Sequence, residues 1–250
     1  MALKFIQENK RSLFLLFWTV FIPFMSTGQG SDIYLDEPDK LVEYANHVYG
    51  SNDLLITGRI YVPQHSLAEG HPYFGIADWI LGDVYVRSDR FENQKLKYDI
   101  ELDEFILYIE DAYQRKNYLV LNHHYVDSIY LGKFLFVNTA VVPRIGGDIG
   151  YAELVYNKRM IFLVKYKKDF KKEYSDAKPY GEYAEQTSER YICEGGRMEK
   201  VTSKKSFLHY FEQNQKEIKR YLKKEKIKYK KANSGELYNL INFCDALQHN

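Results

Sequence analysis

Cysteine is almost absent: Cys193 and Cys244 are the only two in 250 residues. Without a C-x-x-C pair there is no thiol-redox motif. In an oxidising compartment the two could form one disulfide. The alternative is a pair of free thiols, because Cys244 falls on the apolar stripe Leu237, Leu240, Ile241, Cys244, Leu247, where cysteine behaves as a small hydrophobe. Catalytic templates are missing as well. No G-x-S-x-G elbow occurs, and no S-x-x-K stands beside its partner motifs. The run Gly146-Gly147-Asp148-Ile149-Gly150 lacks the spacing and the Lys-Ser/Thr of a phosphate loop. The seven histidines never take the H-E-x-x-H spacing that converges two imidazoles on zinc. His65, Glu69 and His71 share one loop and His123-His124 a turn, the ordinary setting of solvated side chains. No metal and no cofactor are expected. Beyond residue 24 no apolar run reaches the roughly 20 residues of a membrane-crossing helix.

What is present begins with an address. Lys4, Lys10 and Arg11 precede a short apolar run over 12–24, and Ser26-Thr27-Gly28 follows. Basic, apolar and small-residue regions in that order are the layout of a secretory signal peptide, here 1–28. The expected location is therefore the periplasm, the outer surface or the medium. About 220 residues would remain, and 45% of the chain is apolar, enough for a proper core without staples.

Net charge is only +1, but it is unevenly spread. Residues 31–111 carry 17 acidic against 6 basic side chains, and residues 197–250 carry 13 basic against 6 acidic. Either the two ends attract one another within one fold, or the basic end meets anionic envelope polymers. No nucleic-acid recognition motif is present.

Periodicity predicts an α+β protein, mostly an antiparallel β-meander in a curved or partly closed sheet. A helix is predicted over 36–49, capped by Asp36 or Asp39 and ended by Gly50. Strands are predicted over 55–62, 83–86, 95–100, 105–109, 118–122, 126–131, 134–138, 151–156 and 160–166. Short strands at steady spacing with tight turns mean hairpins rather than βαβ units. Residues 169–188 read as a long exposed loop, and a last hairpin turns at Gly195-Gly196. A helix from Ser203 to Lys226 and a second from Glu236 to Gln248 form a helical hairpin over 203–250, behind the β-rich domain 31–202. Asp99, Glu101, Asp103 and Glu104 crowd one hairpin and read as a solvated turn.

The stretches Gly70-His71-Pro72-Tyr73-Phe74, Trp79, Gly82, Leu96-Lys97-Tyr98-Asp99, Ser206-Phe207-Leu208 and Lys216-Glu217-Ile218-Lys219-Arg220-Tyr221 resemble uncharacterised exported proteins of Bacteroidota. The resemblance implies a secreted β-rich body with a C-terminal helical segment, and it carries no catalytic residues.

Aromatic content is the remaining clue. Twenty-three tyrosines combine an apolar face with a hydroxyl, as sugar- and protein-binding surfaces do and as the half-wet face of an antiparallel sheet does. A surface patch is expected near His71, Tyr73, Phe74, Trp79, Tyr85 and Tyr98. The expected function is non-catalytic binding of an envelope protein or glycan. A carrier of an apolar ligand in a curved sheet, and a hydrolase assembled from His65, Glu69, His71 and His123, are the alternatives.

Overall fold

A computed structural model describes residues 55, 57–87, 89–110 and 113–248. The expected signal at 1–28 and the helix expected over 36–49 lie outside them. Thirteen strands are present among these residues: β1 (Arg59–Ile60), β2 (Ile80–Val86), β3 (Asp89–Asp99), β4 (Glu104–Glu110), β5 (Lys116–Val120), β6 (Val126–Leu131), β7 (Phe134–Asn138), β8 (Tyr151–Asn157), β9 (Ile161–Lys167), β10 (Phe170–Lys171), β11 (Glu182–Tyr183), β12 (Thr187–Glu194) and β13 (Arg197–Lys200). Eleven of them form one antiparallel sheet in the order β1-β5-β4-β3-β2-β6-β7-β8-β9-β12-β13. Two meanders, β2 to β5 and β6 to β9, thus run outward from the pair β2–β6. The sheet is not closed. The stretch 169–188, expected as a loop, contributes the small β10–β11 pair, whose two-residue strands are too short to show a period.

The sheet curls strongly. Tyr98 of β3 stacks on Phe105 of β4 with centroids 4.3 Å apart, and Phe105 meets Tyr151 of β8, far along the sheet order, at 4.9 Å. Phe136 of β7 closes the cluster edge-on to Tyr98 at 5.0 Å. The inside of the curl is filled by these rings. The β3–β4 turn, expected as solvated, is instead part of the closure. Asp99 is buried because its Oδ1 accepts the Glu101 and Leu102 amides at 3.0 Å and its Oδ2 accepts the Tyr61 hydroxyl at 2.7 Å. Asp103, at φ 61°, forms an ion pair with Lys165 of β9 and accepts the Tyr98 hydroxyl at 2.5 Å. Only glycine fits beneath this turn: a Cβ on Gly150 (φ +76°) would lie 1.7 Å from Asp103 Oδ2.

A segment ahead of β2 straps the two sides of the curl together. Glu69 bridges Glu182, the Phe74 amide donates to Tyr98 O at 2.8 Å, the Gly75 amide donates to Gln186 Oε1 at 3.0 Å, and Lys168 Nζ donates to His71 O at 2.9 Å.

The C-terminal segment forms α1 (Lys204–Tyr210), α2 (Gln215–Lys224) and α3 (Ser234–Leu247). The single helix expected over 203–226 is therefore broken. Phe211 leaves helical geometry (φ −103°, ψ 47°), and Asn214, a weak helix former, does so again (φ −111°, ψ 15°). Ser203 and Asn233 each head a reciprocal capping box. Phe207, Phe211, Ile218, Leu222, Leu240 and Ile241 pack on Phe162, Val164 and Ile192 of the sheet. Alternation decides the cysteines: Ile192 faces this helical layer, so the neighbouring Cys193 faces the opposite side with Ile161 and Leu163. Cys244 sits in the helical layer, and both thiols are free and buried. The disulfide weighed from the sequence does not form, because the sheet lies between the two residues. No helix among the described residues is long and apolar enough to cross a membrane.

Candidate functional site

The outer face of the β3–β4–β5 meander carries what the inside does not use. Leu96 and Leu107 point into the curl, so their neighbours Lys97 and Ile106, paired across the ladder, point out with Val120. One step along the strands, Tyr108 and Tyr118 form a cross-strand pair on this same outer face. Trp79, just ahead of β2, lies over them: its ring is stacked on Tyr118 (5.4 Å, 19° between planes) and edge-on to Tyr108 (5.5 Å). Lys97 Nζ is held 4.6 Å from the Tyr73 ring and 4.6 Å from Trp79, and Lys95 Nζ sits 5.0 Å from Tyr108.

Between these rings is a hollow of about 170 Å³ lined by Tyr61, Tyr73, Trp79, Lys97, Ile106 and Tyr118. At about 30 Å³ per water that is the space of about six waters, the scale of one sugar ring or one side chain. Burial lowers the Lys97 ammonium pKa from its ordinary value and raises the Tyr61 and Tyr73 phenols from theirs, so both tyrosines present neutral hydroxyls. Tyr61 is fixed by Asp99, whose carboxyl burial also raises. The arrangement offers flat π faces, hydroxyls and a cation.

Of the residues expected to form a patch, the structure brings together Tyr73, Trp79 and, by ring stacking on Tyr73 at 5.8 Å, His71. Burial, followed by Lys168 and Lys97, lowers the His71 pKa. Phe74 and Tyr98 are core residues: Phe74 plugs the curl against Phe134 and Phe136 at 5.2 Å each. Tyr85 belongs to a separate pair with Tyr130 at 6.1 Å, capped by Arg90. Tyr61, Lys97, Tyr108 and Tyr118 were not expected there. For Lys97 and Tyr108 the signal was the period-2 alternation of the hairpin, which places them on the face opposite Leu96 and Leu107; Tyr118 joins through β5 and Tyr61 through its bond to Tyr118. The histidine cluster does not assemble: His65 stacks on Phe170 at 3.6 Å, while His123 stands against Tyr151. Among the described residues no three His, Cys, Asp or Glu side chains come together as a metal site.

A second hollow, about 630 Å³ and open, lies between the start of α3 and the floor formed by Phe74, Phe134 and Tyr166. Its wall holds Glu153, buried, accepting the Tyr166 hydroxyl at 2.6 Å. Burial raises the Glu153 carboxyl above its ordinary pKa. A folded state that holds this proton more tightly than the unfolded chain gains stability as pH falls from neutral toward the ordinary glutamate range. Urea unfolding of the wild type and Glu153→Gln should therefore diverge, with the wild type gaining on the variant between pH 7 and pH 5. Parallel profiles would remove this assignment.

Comparison with protein-family models, curated proteins and solved structures finds no match to the chain.

Proposed function

We propose that this is an exported, non-catalytic binding protein whose outer-face platform takes a sugar unit of an envelope glycan. The observation that carries the reading is Trp79 laid flat on Tyr118 beside Lys97 on a half-exposed sheet face. A sugar ring presents weakly positive C–H groups to the negative face of such a π system, and its hydroxyls can accept from Lys97 and exchange hydrogen bonds with Tyr61, Tyr73 and Tyr118. The signal-like 1–28 stretch and the resemblance to exported β-rich proteins support the location. The ring-filled interior of the curl favours surface binding over carriage of an apolar ligand in the barrel-like space.

The test is a glycan-array screen followed by calorimetry on the best ligand. Trp79→Ala should weaken binding about thirtyfold, the roughly 2 kcal/mol of an anchoring aromatic, with little change in melting temperature. No glycan bound by the wild-type protein, or equal binding by the variant, would sink the reading. A protein partner whose capture also depends on Trp79 would transfer the platform to that class.

A further inference from the structure

The helical layer carries a second surface of different chemistry. On α2 the buried Ile218 and Leu222 face the sheet, and Lys216, Arg220 and Lys223 stand opposite them, exposed, at the i, i+4, i+7 spacing of one stripe. No carboxylate among the described residues lies within ion-pair distance of these three. Lys219 flanks the stripe and leads into a concave groove of about 570 Å³ at the elbow of α1 and α2, where Lys204, Lys205 and His209 also line the wall and Leu208 forms part of the floor. No acidic residue lines that groove; Glu212, outside it, reaches His209 Nδ1 at 2.8 Å, so the like charges are those of Lys204, Lys205 and Lys219. Like charges gathered this way repel one another and are relieved by an anionic occupant.

We infer that the α1–α2 elbow and the α2 stripe form one docking track for a linear acidic polysaccharide, a chain bearing sulfate or carboxylate groups. Three features choose this occupant. A groove continued by a stripe follows a thread rather than a plane, which disfavours a bilayer. Interfacial helices bind membranes through an apolar face, and here that face is used by the core; none of the exposed large hydrophobic side chains lies between 204 and 231. Binding of single-stranded nucleic acid interleaves stacking rings with the cations, whereas Tyr221 is stacked on Phe243 at 4.2 Å and Tyr210 donates to Glu194 at 2.8 Å. The track is independent of the Trp79 platform.

The experiment uses the full chain and a heparin-type sulfated oligosaccharide, titrated by calorimetry at rising NaCl. Binding should weaken steadily with salt. Lys216→Gln with Arg220→Gln and Lys223→Gln should weaken it about a hundredfold at low salt, about fivefold per charge. Lys216→Arg with Lys223→Arg should retain it. A control with the same loss of charge elsewhere, Lys116→Gln with Lys171→Gln and Lys200→Gln, should leave affinity within about twofold. Equal weakening by that control would reduce the effect to net charge and overturn the proposal. So would absence of binding by the wild-type chain, tighter binding of duplex DNA of equal charge, or tighter binding of vesicles rich in anionic lipid.

Discussion

Phe136→Ala should lower the free energy of unfolding by about 3–5 kcal/mol, the range for emptying a buried phenylalanine site. Phe136 is fully buried and touches Phe74, Tyr98, Phe105 and Tyr166, rings supplied by the strap, by β3, by β4 and by β9. Each of those rings is itself held by backbone pairing, so the cavity cannot collapse without moving the strap or unrolling the sheet. For a chain of this size the loss corresponds to about 10 °C in melting temperature. Urea unfolding followed by tyrosine fluorescence measures it. A loss below about 1 kcal/mol would mean that the curl is looser than these contacts require.

The second large effect is expected at Asp103 and Lys165. Lys165 is buried, Asp103 is partly exposed, and the ammonium also donates to Tyr151 O at 3.0 Å. Asp103→Asn keeps a residue that tolerates positive φ and keeps an acceptor for the Tyr98 hydroxyl; it removes the charge together with the Oδ2 that accepts the Tyr151 amide at 3.2 Å. An unpaired buried ammonium costs several kcal/mol, and with Asp103 partly exposed the expected loss is about 3 kcal/mol. Burial already lowers the Lys165 pKa while Asp103 raises it. In the variant the raising by the Asp103 charge is gone and burial lowers the Lys165 pKa further, so the unfolded chain holds the proton more tightly and stability rises with pH. The deficit should narrow on approach to pH 10. Adding Lys165→Met to Asp103→Asn should recover most of the loss at neutral pH, and a double variant no better than Asp103→Asn alone would refute the pairing.

Strand alternation made most of the sheet legible. The 126–131 and 134–138 strands stand where the pattern put them, and the 95–109 hairpin turns at the expected residues, because one face of each is buried and the period survives. What stayed hidden depended on contacts distant in the chain. Asp103 looked solvated because Lys165 is its neighbour only after curling. The cysteines looked bondable because nothing local says that the sheet separates them. The α1–α2 break was masked by a stripe whose spacing suits a continuous helix. For the platform, Trp79 and Tyr73 were visible as aromatics near glycine and proline, but Tyr108 and Tyr118 join them only through pairing of β4 with β5. Phe74 and Tyr98 looked like surface candidates for the same reason that they serve the core: large rings beside an irregular segment.

The strap also sets the order in which this chain can acquire its form. His71 and Gly75 meet partners 97 and 111 residues further on, so the seam cannot close until the β10–β11 region has been made. Contacts that distant pay their loop-closure entropy before any reward, and they slow folding. Until then Phe74 can reach Tyr98, Phe134, Phe136 and Tyr166, but the strap on either side of it is unfastened. During synthesis the half-finished protein therefore covers its rings with a flap held along β3 alone, for as long as the remaining residues take to arrive.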